Sequence, residues 1–299
     1  MAIRVLPGMV DKKRRRRTKA EIDALKGAIY RLLEQDNPAT VRSLFYQMVS
    51  AGLIEKTANE YSNVTVRLSG VMREGGVLPF EWVTDLTRWM RKPRTFKSGI
   101  DSVEYLVNSY RQPLWADQDV YVELWTEKDA VAGVLMSVTE PWDVPLMVAR
   151  GFSSKTFLHE AAQTIKAVGK PTYLYYFGDW DPSGVSGERH IEKKLRQWAP
   201  GAEVHFERVA VTQEQIKRFG LPTRFPKKTD SRSGTWKSGG NVEVDALPPR
   251  ELRRLATDCI ERHIDPHVLK QTKLQEQAAR EGLVELARLA PGVFAKRGT

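Results

Sequence analysis

The chain has 299 residues, of which 41% are hydrophobic, and its 47 lysines and arginines against 37 acidic residues give a net charge of +10. This length allows two compact domains with buried cores. No apolar run reaches the ~18–20 residues that cross a bilayer, and no apolar stretch follows the N-terminal charges, which argues against a membrane span or a secretory signal. The single cysteine, Cys259, excludes an internal disulfide and a CxxC metal site. We therefore expect a cytoplasmic protein with no membrane partner.

The positive charge is concentrated in the first third of the chain. Residues 1–97 carry 19 lysines and arginines against 10 acidic residues, a net charge of +9, whereas the remaining 202 residues carry 28 against 27. A basic region joined to a neutral one is typical of a module that binds a polyanion, with a basic but non-binding surface as the alternative. Composition thus favours a nucleic-acid partner, and with it a location at the nucleoid.

The N-terminal region begins with a basic tail and continues with three short helices. Residues 1–17 end in a run of lysines and arginines and are predicted to be a flexible tail. Thr18 and Glu21 have the spacing of a capping box, and Thr40 is suited to cap a second helix. A third helix is predicted from about residue 58 to residue 73.

The third helix is expected to turn an apolar face inward and a basic face outward. Val64, Leu68 and Val71 form the predicted inner face, while Arg67 and Arg73 are candidates for DNA contacts. Residues 77–80 suit a short strand or wing after the Gly75-Gly76 turn. Three helices and a wing predict a winged-helix DNA-binding domain over residues 18–97.

From residue 98 to residue 299 the pattern changes to alternating strands and helices. Strands are predicted at 120–125, 145–149, 172–177 and 204–209, with helices between them and a preceding helix near 100–111. This alternation predicts an α/β domain with a mostly parallel sheet covered on both faces. A basic loop over 220–242 and two helices, at about 248–263 and 265–289, complete the predicted order.

Acidic side chains follow two of the predicted strands. Glu127 lies just beyond the first strand, and Asp179 and Asp181 lie just beyond the third. The carboxyl ends of parallel strands meet at one edge of a sheet, so the three carboxylates are expected to converge there. Hard oxygen ligands of this kind suit Mg²⁺, although aspartate and glycine after a strand also form ordinary turns. The sequence therefore predicts a magnesium site.

These residues resemble a Toprim domain, the metal-binding domain of topoisomerases and primases. The resemblance is carried by Glu127-Lys128, by Arg150-Gly151-Phe152 and by the run Asp179-Trp180-Asp181-Pro182-Ser183-Gly184. The variety most similar is the A subunit of topoisomerase VI and its relatives, including the transesterase that starts meiotic recombination. In that family a winged-helix domain precedes the Toprim domain. The winged-helix domain carries the nucleophilic tyrosine in a helix with the pattern Arg-x-x-Tyr-Tyr.

The resemblance implies specific roles for residues of this chain. Tyr46 in Arg42-Ser43-Leu44-Phe45-Tyr46 matches the nucleophile, while Phe45 stands where the first tyrosine of the usual pair would be. Residues 243–247 are similar to a late acidic segment of the family. The family further implies a homodimer in which tyrosine and metal come from different protomers, double-stranded DNA as substrate, and a separate ATPase subunit where strands are passed. The short chain resembles the stand-alone type called Mini-A.

The sequence leaves several alternatives open. Arg42, four residues before Tyr46 and on the same helical face, is expected to help form or steady the phenolate. Alternatively, the Tyr46 ring could simply pack in the core with its hydroxyl bonded nearby, and the protein would then be a hydrolytic Toprim nuclease. A non-catalytic DNA-binding protein is a third interpretation. Lys227, Lys228 and Arg232 suit phosphate contacts or a solvated loop. Glu243 and Asp245 suit a second metal ion or, preferably, salt bridges to that loop.

Overall fold

The computed structural model describes residues 17–84, 92–150, 154–223 and 240–295. The N-terminal part contains three helices: α1 (Lys19–Asp36), α2 (Val41–Ser50) and α3 (residues 58–74). The predicted capping box is confirmed, because the Thr18 hydroxyl accepts from the Glu21 amide while the Glu21 carboxylate accepts from the Thr18 amide. Thr40 caps α2 as predicted. Capping satisfies amides that have no partner inside the helix and so fixes where each helix begins.

Helix α3 is irregular in the middle. It consists of Ala58–Glu60, a π-helical segment Tyr61–Val66 and an α-helical end Arg67–Glu74. Val64 and Leu68 are buried as predicted, but Val71 is 50% exposed and Met72 is buried in its place. The prediction for Val71 was wrong because a π turn contains more residues than an α turn and rotates the face that follows it.

The predicted strand over residues 77–80 is wrong. Leu78 is buried among the helices, while Val77 and Phe80 are exposed, and a 3₁₀ turn follows at Phe80–Trp82. In residues 17–84 the only strand-like pairing is one bridge between Ala39 and Val83. Pro79 has no amide proton for a strand ladder, and a single strand without a partner is not stable.

The sheet confirms the predicted α/β architecture. Its four parallel strands are β1 (Tyr121–Thr126), β2 (Leu146–Val148), β3 (Thr172–Phe177) and β4 (Val204–Ala210). The strand order is β2-β1-β3-β4, so β1 and β3 are neighbours. Strands β1 and β3 are almost continuously buried because both faces of the sheet are covered.

The helices form a layer on each face of the sheet. After α3 they are α4 (Gly99–Ser109), α5 (Asp129–Thr139), α6 (Lys155–Val168), α7 (Pro182–Trp198), α8 (Gln213–Phe219), α9 (Pro249–Glu261) and α10 (Pro266–Ala295). Helices α5 and α9 pack against each other, and so do α6 and α7. The core beneath α6 and α7 includes Trp125 and Tyr176, whereas Leu124 and Phe177 belong to the core on the other face. In the described residues no helix has the length and apolar character to cross a bilayer.

The N-terminal helices are packed onto the α/β part. Asp36, at the end of α1, is 4% exposed and accepts hydrogen bonds from the Arg250 amide at 2.5 Å and the Arg253 guanidinium at 3.0 Å. Helix α2 contacts the 3₁₀ turn Val244–Ala246. These contacts bring residues of α2 to the carboxyl edge of the sheet.

Candidate active site

Two of the predicted ligands meet at the carboxyl edge of the sheet. Thr126 pairs with Phe177 at the ends of β1 and β3, so the residues that follow the two strands are neighbours. The Asp179 amide donates a hydrogen bond of 2.6 Å to Glu127 Oε1. Adjacent parallel strands thus bring together carboxylates that are far apart in sequence.

Asp181 has a structural contact at the start of α7. Its Oδ1 accepts a hydrogen bond of 2.7 Å from the Gly184 amide, which makes it the N-cap of that helix. A β-carbon at Gly184 would overlap the carbonyl oxygen of Asp179, so only glycine fits this turn. Within the described ranges, no group of three or more carboxylate, histidine or cysteine side chains is arranged to hold a metal ion.

Arg208, which the sequence analysis did not single out, holds the Asp179 turn by hydrogen bonds to its backbone. Arg208, in β4, donates to the carbonyl oxygens of Gly178 at 3.0 Å and Asp179 at 3.2 Å. Its guanidinium also pairs with Glu188 at 2.5 Å, and only 10% of the Arg208 side chain is exposed. An arginine inside a strand that is otherwise half apolar was the signal in the sequence.

A second acidic segment, residues 242–245, lies beside the Asp179 turn. Trp180 and Val242 form an antiparallel bridge, with hydrogen bonds of 2.8 and 3.0 Å. Two residues after Val242, the Val244 amide donates to Asp179 Oδ1 at 2.8 Å. The bridge places Glu243 and Asp245 beside the Asp179 turn.

Lys128 lies at the centre of this acidic cluster, which consists of Glu127, Asp179, Glu243 and Asp245. Its ammonium group is 2.9 Å from Asp179 Oδ1, 3.1 Å from Glu243 Oε2 and 3.1 Å from Asp245 Oδ1. Burial lowers the pKa of Lys128, but the charges of Asp245, Asp179 and Glu243 outweigh burial, and the pKa is raised overall. The lysine is therefore held as a cation.

Arg42 and Tyr46 reach the same cluster from helix α2. The Arg42 guanidinium pairs with Glu243 at 2.7 Å and Asp245 at 3.2 Å. The Tyr46 hydroxyl is hydrogen-bonded to the Glu243 carboxylate and to Arg42. Their spacing of four residues places both on one helical face. Tyr46 is only 1% exposed, and a small cleft of about 150 Å³ beside it is lined by Arg42, Phe45, Tyr46, Thr57, Ala58 and Tyr61.

Burial and charge determine the protonation of these groups. Burial raises the pKa of Asp179, and the nearby Glu127 charge raises it further, against the opposing effect of Lys128. Burial also raises the pKa of Tyr46, with the Glu243 carboxylate adding to the rise, so the hydroxyl is protonated at neutral pH. For Glu243, burial is outweighed by the Lys128 charge, the Tyr46 hydrogen bond and the Arg42 charge, which lower its pKa to about 2.

The basic residues predicted to contact DNA are spread over the chain. Arg67 is exposed on α3. The Arg73 guanidinium lies over the Phe80 ring, with 5.5 Å to the ring centroid. Lys227, Lys228 and Arg232 lie outside the described residues. So do Gly151 and Phe152, which follow Arg150 in the motif that resembles a Toprim domain. Glu243 and Asp245 pair with Arg42 and Lys128.

Comparisons with known protein families, with curated proteins and with solved structures return no match to this chain.

Proposed function

We propose that this chain is a DNA-cleaving transesterase in which Tyr46 attacks a phosphodiester, with a DNA-binding front end of three helices and a Toprim-like acidic site. One observation carries the proposal. The Tyr46 hydroxyl is joined to Glu243, and Lys128 links Glu243 to Asp179 beside Glu127. A candidate nucleophile and a candidate metal site are thus only two side chains apart.

In the proposed reaction the Tyr46 oxygen forms a bond to phosphorus as the bond from phosphorus to a deoxyribose oxygen breaks. The phenol gives up its proton, and the released sugar hydroxyl gains one. The phosphotyrosine bond conserves the energy needed for resealing. The Arg42 guanidinium, already bonded to the hydroxyl oxygen, would stabilise negative charge on the phenolate.

Magnesium fits the pair formed by Glu127 and Asp179. Both supply hard carboxylate oxygens, and their mutual repulsion contributes to the raised pKa of Asp179, so a cation beside them would be stabilised. Mg²⁺ is commonly held by one or two carboxylates together with waters and a phosphate, so Asp181 can remain the cap of α7. When bound, the ion would orient the phosphate and offset charge that develops on it.

Double-stranded DNA is the proposed partner. The net charge of +9 over residues 1–97 comes from residues 1–16, with 6 basic residues against 1 acidic residue, and residues 85–97, with 5 against 1, whereas residues 17–84 carry 8 of each. These two basic segments, together with the exposed Arg67 and half-buried Arg73, support binding of the N-terminal region to phosphates. The same proposal assigns phosphate contacts to Lys227, Lys228 and Arg232. A homodimer would cut both strands, and a separate ATPase subunit would be needed to drive strand passage.

The proposal is tested with labelled DNA, Mg²⁺ and denaturation to trap protein–DNA adducts. We expect adducts with the parent chain and none with Tyr46→Phe or Asp179→Asn. Tyr61→Phe is the matched control, because Tyr61 lines the same cleft and should retain adduct formation. A Tyr46→Phe variant that forms adducts as well as the parent refutes the transesterase.

A hydrolytic nuclease is the second candidate, and the burial of Tyr46 favours it. A side chain that is 1% exposed must move before DNA can reach it, whereas the acidic edge is half-buried and more accessible. This candidate predicts free DNA ends, unchanged cutting by Tyr46→Phe and loss of cutting by Asp179→Asn. Salt-sensitive DNA binding without cutting under any divalent ion would identify a non-catalytic binding protein.

A further inference from the structure

Lys128 uses its ammonium group entirely within the acidic cluster. An ammonium has three N–H donors, and Lys128 has three carboxylate partners: Asp179, Glu243 and Asp245. Only 22% of its side chain is exposed. The lysine therefore connects Asp179, at the carboxyl edge of the sheet, with Glu243 and Asp245 of the second acidic segment.

The charges of the cluster are not balanced by Lys128 alone. Four carboxylates face two cations, Lys128 and Arg42, and Arg42 contacts only Glu243 and Asp245. Lys128 is thus the cation in contact with Asp179, at 2.9 Å. Any other cation that binds Asp179 must approach within a few ångströms of the ammonium, where like charges repel strongly.

We propose that Lys128 is a resident counter-ion that competes with a divalent metal ion for Asp179 and so sets the affinity of the site for the ion. The inference depends on the proposed function for the identity of the metal ligands. In the absence of the ion, Lys128 holds Glu243, and with it the Tyr46 hydroxyl, against the sheet edge. Binding of the ion would release Asp179 from the ammonium.

The competition is measured by Mn²⁺ binding, with unbound Mn²⁺ detected by electron paramagnetic resonance. We expect Lys128→Gln and Lys128→Met to bind Mn²⁺ on the order of tenfold more tightly than the parent, since a positive charge in contact with a ligand has been removed. Lys128→Arg keeps the charge and should stay close to the parent. Lys194→Gln is the matched control, because it removes the same charge from a lysine whose partners are Gln197 and the Trp198 ring and not the acidic cluster.

A second measurement guards against variants that fold poorly. The rise in melting temperature caused by Mn²⁺ should be larger in the two neutral variants than in the parent. If both bind Mn²⁺ no more tightly than the parent while Asp179→Asn loses binding, the competition is refuted but the metal site of the proposed function stands. If neither the parent nor any variant binds Mn²⁺, both the competition and the metal site are refuted.

Discussion

A buried carboxyl in the central strand gives a quantitative test of the fold. Glu123 lies in β1, is 1% exposed and accepts hydrogen bonds from the Trp125 indole at 2.8 Å and the Tyr121 hydroxyl. Burial raises its pKa from 4.5 to about 7, although both hydrogen bonds oppose the rise. The substitution Glu123→Gln keeps the shape of the side chain and the hydrogen-bond acceptor but removes the ionisable group.

The direction of the effect follows from proton binding. Between pH 4.5 and about 7 the folded chain holds a proton on Glu123 that the unfolded chain has released, so stability falls as pH rises through this range. Above pH 7 the full penalty is present, and a shift of this size corresponds to about 3 kcal/mol. Relative to the parent, Glu123→Gln should gain up to about 3 kcal/mol of stability between pH 4.5 and pH 8.

The assay is urea unfolding of both proteins at several pH values. Other titrating groups cancel in the difference between the two proteins, because they are common to both. A difference in unfolding free energy that is constant from pH 4.5 to pH 8 would refute the burial of an ionisable Glu123. So would a parent that becomes more stable than the variant as the pH rises.

Three further predictions concern the turn before α7, the contact between α1 and α9, and the proposed DNA-binding surface. Gly184→Ala should lower the stability measured by thermal unfolding by about 2 kcal/mol, because the added methyl group would overlap the Asp179 carbonyl oxygen. Gly282→Ala, on an open face of α10, should cause no loss of stability. Equal effects of the two substitutions would contradict the close approach at Gly184. Asp36→Ala should destabilise the chain by about 3 kcal/mol, because it removes the carboxylate partner of Arg253 and the acceptor of the Arg250 amide. An unchanged denaturant midpoint would rule out a stabilising role for this ion pair. Arg67→Ala should lower the slope of log affinity for DNA against log salt by about 1, and an unaltered slope would remove Arg67 from the interface.

The sheet could be predicted from the sequence because its strands are apolar runs separated by helical periodicity. The same reasoning brought Glu127 and Asp179 to one edge, since the position of a residue after a parallel strand determines where it lies. Helix starts at Thr18 and Thr40 were predictable because a cap is a local interaction. Local sequence patterns and the order of the strands thus account for the sheet, for the helix starts and for the meeting of Glu127 with Asp179.

What could not be predicted depends on contacts between distant segments. Nothing local to Lys128 indicates that its ammonium would lie among carboxylates over 50 residues away. Asp181 has the same sequence signature as a metal ligand and as a helix cap, and the start of α7 decides between them. The exposure of Val71 follows from a π-helical segment that the residue pattern does not reveal.

The central claim is that Tyr46 forms a covalent bond with DNA, and peptide mapping tests it most directly. Trypsin cuts after Arg42 and Lys56, so the peptide of residues 43–56 contains Tyr46 as its only tyrosine. After reaction with DNA, nuclease trimming and mass spectrometry, we expect this peptide to carry the mass of a nucleotide. Cut DNA with an unmodified 43–56 peptide, or a nucleotide attached to another tyrosine, would contradict the account.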